Sequence, residues 1–282
     1  MGKKTTLILN SNSKVNLGLE VLNKRSDNFH NIESIFIEIN LKDKLTFTPS
    51  TKFKLITRGV SIPNDENNTI IKAVQLIENT FNIKVNHQIL INKNIPTSSG
   101  LGGGSSNAAM TLIGLNKLYN LNITNNHLKD LASKISSDAP FFINGKIQFI
   151  QGRGERMSPI ESTQFQNKKI LLVFPNFRVS TSWAYSNIKK YLHTNTNPPK
   201  FPALTNESDW TLFENNFEKV VGSTYPEILE IKDVLYKYGA HYSGLSGSGS
   251  TMFGIYTDEA LVQKTQEALL SYQTFIATPV IE

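Results

Sequence analysis

The chain has 282 residues, long enough for two modest domains, each with its own core. Hydrophobic residues make up 39% of it and charged residues 18%, the balance of a globular protein and not of a disordered one. There is no cysteine, which excludes disulfides, thiol catalysis and cysteine-ligated zinc or iron–sulfur centres, and the net charge of +6 (29 basic against 23 acidic residues) is mild.

That charge suits an anionic small molecule and would also suit nucleic acid, but no run of five or more basic residues marks a nucleic-acid patch. Apolar runs are short and interrupted, so no transmembrane span is expected. The basic start, Met1 to Thr6, leads into Leu7-Ile8-Leu9, too short for a signal peptide, and a cytoplasmic location is expected.

Val15, Leu17, Leu19 and Val21 alternate with polar residues and predict a strand, with Lys14 and Asn16 together on the face opposite the core. Such a pair ordinarily faces solvent, yet asparagine is a poor strand former and hints at another reason to be there. The polar link from Asn23 to Asn31 contains Phe29-His30, either a turn whose ring folds back on the sheet or an aromatic and an imidazole that hold a base. Alternating Ile35, Ile37, Ile39 and Leu41 predict a second strand, and short strands follow around 45–48 and 53–57. Ile70, Ala73, Val74, Ile77 and Phe81 share one face of a helix, and Val85 to Ile91 reads as a strand.

After that strand comes Pro96-Thr97-Ser98-Ser99-Gly100-Leu101-Gly102-Gly103-Gly104-Ser105-Ser106-Asn107, and then a helix with Ala108, Leu112, Leu115 and Tyr119 in phase. Four glycines in five positions mean a very tight turn or a very close approach to the backbone. A glycine-rich turn at a helix start presents free N–H groups and the positive end of the helix dipole, which suits a phosphate. Ser105 and Ser106 either cap the helix or turn a hydroxyl toward a metal-bound phosphate. The loop lacks the lysine of the common nucleotide loop, and Asn107 stands where the dinucleotide fingerprint needs a glycine.

Thr124 caps a helix bearing Leu128, Leu131, Ala132 and Ile135, which stops before Ser137-Asp138-Ala139-Pro140-Phe141-Phe142. Asp138 at that break is a helix cap or a catalytic carboxylate. Residues 151–156 read as a turn near a domain boundary. Beyond it follow a strand at 170–174, a helix from about Ser180, helices at 210–221 and 226–238 stopped by Gly239, strands at 242–245 and 251–256, a helix from Asp258 and a last strand. Ser246-Gly247-Ser248-Gly249-Ser250, between two of those strands, is a flexible hairpin loop or a backbone that approaches a ligand or the first glycine loop. Consecutive strands at the start and interleaved elements later make the class α+β.

The stretch from Pro96 through Gly100 to Ala109 resembles the ATP-binding motif of the GHMP kinases. Ser13 to Leu17, Lys24 to His30, Ser137 to Phe142, Gly152 to Glu155, Val179 to Thr181 and Leu245 to Ser250 follow, in order and spacing, the members of that superfamily that phosphorylate 4-diphosphocytidyl-2-C-methyl-D-erythritol. The resemblance implies the superfamily's two-domain fold: a part like ribosomal protein S5 domain 2 that binds ATP, over 1–158, and a ferredoxin-like part over 159–282. It implies Lys14 and Asp138 as the catalytic pair, with Asp138 taking the proton of the substrate's 2-hydroxyl. It implies ATP phosphates on Pro96, Gly100, Leu101, Gly102, Gly103, Gly104, Ser105 and Ser106, adenosine near Asn68 and Lys93, and Mg²⁺ offsetting charge. Asn16, Phe29, His30, Thr181 and Tyr185 match or lie near the site for the cytidine diphosphate.

The implied activity is an ATP-dependent step of the non-mevalonate route to isoprenoids, with a small-molecule partner and no nucleic acid or membrane; a homodimer is left open. Asn28-Phe29 stands where the family usually has Gly-Tyr, Thr97-Ser98-Ser99 replace smaller residues, Asn67 replaces an aspartate, and no acidic Mg²⁺ ligand stands out. The rivals are another small-alcohol kinase of the superfamily and a basic RNA-binding module, which predicts salt-sensitive RNA affinity and no ATP consumption.

Overall fold

The computed structural model describes residues 6–190, 201–205 and 209–281, which form two compact units, each assembled from separate stretches of sequence. Strand β1 is Leu7–Lys24 and β2 is His30–Pro49, and each contributes residues to both units. What reads in the sequence as two strands, 35–41 and 45–48, is one continuous β2.

The first unit comprises the described residues up to Ser13, Leu41–Thr97 and Gly102–Gly145. In it the second half of β2 pairs antiparallel with β4 (His87–Lys93), which pairs in parallel with β3 (Lys54–Gly59). Three helices, α1 (Thr69–Phe81), α2 (Gly103–Tyr119) and α3 (Asn125–Ser133), supply the rest of its core, with short α4 (Phe141–Asn144) after them. Leu45, Phe47, Ile89 and Ile91 from the strands pack with Ile70, Val74, Leu112, Leu115 and Leu131 from the helices. Gly114 lets α2 come close to the sheet, because a Cβ there would stand 2.6 Å from the Phe47 ring. Asn82 and Asn120 end α1 and α2 in the left-handed conformation, which asparagine tolerates better than other residues with a Cβ. Thr124 caps α3, as its position in the sequence predicts.

The second unit comprises Lys14–Asn40, Ser98–Leu101 and the described residues from Lys146 onward. Here Ile32 to Ile37 of β2 pair antiparallel with β5 (Ile147–Gly152), which pairs with β6 (Arg156–Pro159). Those two short strands flank the turn expected at 151–156. An antiparallel four-stranded sheet has the order β10-β7-β9-β8, from Gln273–Ala277, Lys169–Phe174, Met252–Tyr256 and Tyr242–Leu245. The helices are α5 (Thr181–Asn187), α6 (Asn216–Thr224), α7 (Glu227–Lys237) and α8 (Glu259–Ala268). One helix expected at 210–221 is two elements, a 3-10 turn at Trp210–Leu212 and then α6, because Asn215 caps α6 by accepting from the Phe217 N–H. The class is α+β, as expected.

Candidate active site

In the first unit β4 delivers the chain to the glycine-rich loop, and α2 leaves it. Gly102 is the N-cap at φ 69°, so neither serine caps α2; the first bond inside the helix runs from the Ser106 N–H to the Gly102 carbonyl, 2.9 Å. The amides of Gly103, Gly104 and Ser105 therefore have no acceptor within the helix and add to the positive end of its dipole. Ser105 Oγ instead accepts from Ser136 Oγ at 2.8 Å, and buried Ser106 Oγ accepts from Ser11 Oγ at 2.8 Å.

Gly103 and Gly104 differ in what surrounds them. A Cβ on Gly103 would lie 2.9 Å from both Lys93 Nζ and the Ile95 side chain, whereas one on Gly104 would meet nothing nearer than Thr69 Oγ1 at 3.7 Å. The loop thus packs closely on one side and is open at Gly104, a shape that fits a phosphate against bare amides. Asn68 is the N-cap of α1, accepting from the Ile70 N–H at 2.9 Å and donating to the Pro63 carbonyl at 2.7 Å. Thr69 next to it donates to the Gly104 carbonyl at 2.7 Å, which brings Asn68 to the start of α2. Lys93 is 3% exposed and ion-paired with Asp43 at 2.6 Å; burial pushes its ammonium below the ordinary lysine range, and Asp43 opposes that. Asp138 is half-buried in the turn before α4, whose N-cap is Pro140, so it is not that helix's cap residue. Ser136, two residues before it, holds Ser105, which ties this turn to the glycine loop.

In the second unit Lys14 and Asn16 do not face solvent: they are 2% and 0% exposed. Val15 and Leu17, on the other face of β1, are fully buried as well, so this stretch of the strand is covered on both faces. Lys14 Nζ donates to Asn16 Oδ1 (2.6 Å) and to the Gly100 carbonyl (2.9 Å), and lies 4.7 Å from the centre of the Phe36 ring. Asn16 donates to Ser34 Oγ at 3.1 Å. The 246–250 stretch is buried, with Gly100 against it, and is no free hairpin. Ser246 Oγ donates to the Gly100 carbonyl at 3.1 Å, and a Cβ on Gly100 would overlap the Ser246 carbonyl oxygen.

Residues outside the sequence expectation hold that stretch in place. Asn215 donates to the carbonyls of Leu245 and Gly247 at 2.7 and 2.8 Å, and Glu218 accepts from the Leu245 N–H at 2.9 Å. Nothing near Asn215 in sequence signals this. Asp43 was also missed, although Leu41, Asp43, Leu45 and Phe47 alternate and put its carboxylate on the inward face of β2.

Near the other end of β1 the Phe29 ring does not fold back on the sheet. It is 48% exposed, with the Arg153 guanidinium 5.3 Å from its centre. His30, 9% exposed, stacks on Tyr185 at 5.4 Å and 27°, and its Nε2 has no hydrogen-bond partner. Burial, with Lys24 and Lys189 adding to it, lowers the His30 pKa and favours the neutral ring. Thr181 Oγ1 lies 3.1 Å from Ser248 Oγ. Among the described residues no three of His, Cys, Asp and Glu group so as to hold a metal ion, and no helix is long and apolar enough to cross a membrane.

Comparison with known proteins identifies the family. The family described as GHMP kinases N terminal domain matches residues 68–146, and GHMP kinases C terminal matches 196–273. The fold and the loop define a GHMP kinase. A 4-diphosphocytidyl-2-C-methyl-D-erythritol kinase of Chlorobium chlorochromatii is 36% identical over 94% of this chain and 93% of its own length. That of Bacteroides fragilis is 37% identical over 93% of this chain and 97% of its own. A solved 4-(cytidine 5'-diphospho)-2C-methyl-D-erythritol kinase superposes with a TM-score of 0.80 at 27% identity, covering 97% of this chain and 99% of the other. The chain belongs to the 4-diphosphocytidyl-2-C-methyl-D-erythritol kinase family.

Proposed function

We propose that this chain transfers the γ-phosphoryl group of ATP to the 2-hydroxyl of 4-diphosphocytidyl-2-C-methyl-D-erythritol, in non-mevalonate isoprenoid synthesis. The observation that carries the choice of substrate is the corner formed by exposed Phe29 and buried His30. A half-exposed aromatic ring and an imidazole nitrogen with no protein partner suit a pyrimidine base, and a kinase of a small aliphatic alcohol has no use for them.

In this reading Asn16, Phe29, His30, Thr181 and Tyr185 hold the cytidine diphosphate, Asn68 and Lys93 lie at the adenosine, and the amides from Gly100 to Ser106, entered through Pro96, hold the ATP phosphates. Asp138 accepts the proton of the 2-hydroxyl while Lys14 steadies that oxygen. The oxygen bonds to the γ-phosphorus as the bond to the bridging oxygen breaks, and ADP leaves. Mg²⁺, when bound with the triphosphate, would supply positive charge that offsets the phosphates as the γ-phosphoryl group moves. The domain division at 158/159, a cytoplasmic location and a small-molecule partner without nucleic acid belong to the same reading, and sedimentation velocity distinguishes monomer from homodimer.

The test is ADP release measured with and without the cytidine substrate, alongside homoserine and mevalonate. Release that depends on the cytidine compound supports the assignment. Equal turnover of the other alcohols, or RNA binding without ATP consumption, would overturn it.

A further inference from the structure

We infer that Asp43, to which no role in the reaction has been given, is a positioning residue that ties both ends of the glycine-rich loop and so sets its amides for the triphosphate. Its Oδ1 accepts from the N–H groups of Asn94 and Ile95 at 2.8 and 2.9 Å. Its Oδ2 accepts from Lys93 Nζ at 2.6 Å and from Asn107 Nδ2 at 2.9 Å. Asn94 and Ile95 lie just past the end of β4, immediately before Pro96; Asn107 lies in the second turn of α2, just past Ser106. One fully buried carboxylate thus holds the residues on either side of the loop.

The chemistry requires a charged acceptor at this place. Beyond Asn92, which pairs with Lys44, β4 has no strand partner in β2, and the amides of Asn94, at a part-buried bond, and of buried Ile95 find their acceptor in Asp43 instead. An apolar side chain would fill the space and leave the buried Ile95 amide unsatisfied. Lys93 neutralises the carboxylate, and its Nζ is the atom that a Cβ on Gly103 would crowd, so the pair lies directly under the first turn of α2. Ser11 extends the clamp: it accepts from Asn107 Nδ2 and donates to Ser106 Oγ, both at 2.8 Å. A buried ion pair that only filled a core would not need to reach the chain on both sides of the loop.

This inference rests on the loop's binding ATP, and the experiment separates the two. A non-hydrolysable ATP analogue is titrated calorimetrically into the full chain and into Asp43→Asn, with steady-state kinetics in both substrates. In Asp43→Asn the amide N–H₂ faces two other donors, and the expected loss of analogue affinity is at least about tenfold, with KM for the cytidine substrate within about twofold. A folded Asp43→Asn with unchanged analogue affinity overturns the inference, as does an equal loss for both substrates, which would mark general damage. If that variant does not fold, Asn107→Ala decides: it cuts only the α2 arm, and unchanged affinity there overturns the inference. A wild-type chain that binds no analogue would fail the kinase reading itself.

Discussion

Asp138 and Lys14 carry opposite tasks in the proposed step, so their removal should affect different quantities. Asp138→Asn keeps the shape and loses the base. We expect kcat to fall at least about 10²-fold with ATP affinity retained, measured by steady-state turnover and analogue titration. Near-normal turnover would remove Asp138 from its role. His30 makes a prediction in pH. Burial lowers its pKa from 6.5, so the folded protein binds the proton less well than the unfolded chain. Its contribution to stability is complete above the unfolded value and is lost as pH falls through the folded one. NMR titration of the His30 ring should give a midpoint below 6.5, and a midpoint at or above it contradicts the burial argument.

The start of α2 shows how one element serves stability and binding differently at adjacent positions. Gly103 has no room for a side chain, whereas Gly104 is exposed and open. Alanine is the better helix former by about 1 kcal/mol, so Gly104→Ala should leave the melting temperature unchanged or raise it slightly. If the triphosphate lies against these amides, the new methyl group occupies its place, and KM for ATP should rise several-fold. Calorimetry and kinetics on the one variant check both halves, and unchanged KM would place the phosphates elsewhere. The same contrast holds for Gly114, where an added methyl group would press on Phe47, an overpacking that costs about 1–3 kcal/mol.

At the scale of the whole chain, ligands that bind only the folded state stabilise it by mass action. An ATP analogue at about 100 times its Kd should add about 2.7 kcal/mol, a rise of several degrees in melting temperature. The cytidine substrate should give its own increment, and homoserine none. Thermal scans with each ligand measure this. Such additive shifts are expected because the residues proposed for ATP and those proposed for the cytidine diphosphate fall largely in different units.

Local chemistry determined a good part of this protein directly from its sequence. The glycine loop needs backbone freedom, and Thr124 and Gly239 begin and end helices through a side chain or a φ angle of their own, so short windows reveal them. The order of the motifs likewise identified the family before any coordinates. Only the tertiary structure decided the environment of those residues. The four bonds of Asp43 reach 50 to 64 positions along the chain, and Asn215 reaches 30 and 32. Period two puts Lys14 and Asn16 together on one side of a strand without saying whether solvent or protein covers it. Burial, and the partners that make a buried charge tolerable, come from distant segments folded together, and no local spacing encodes them.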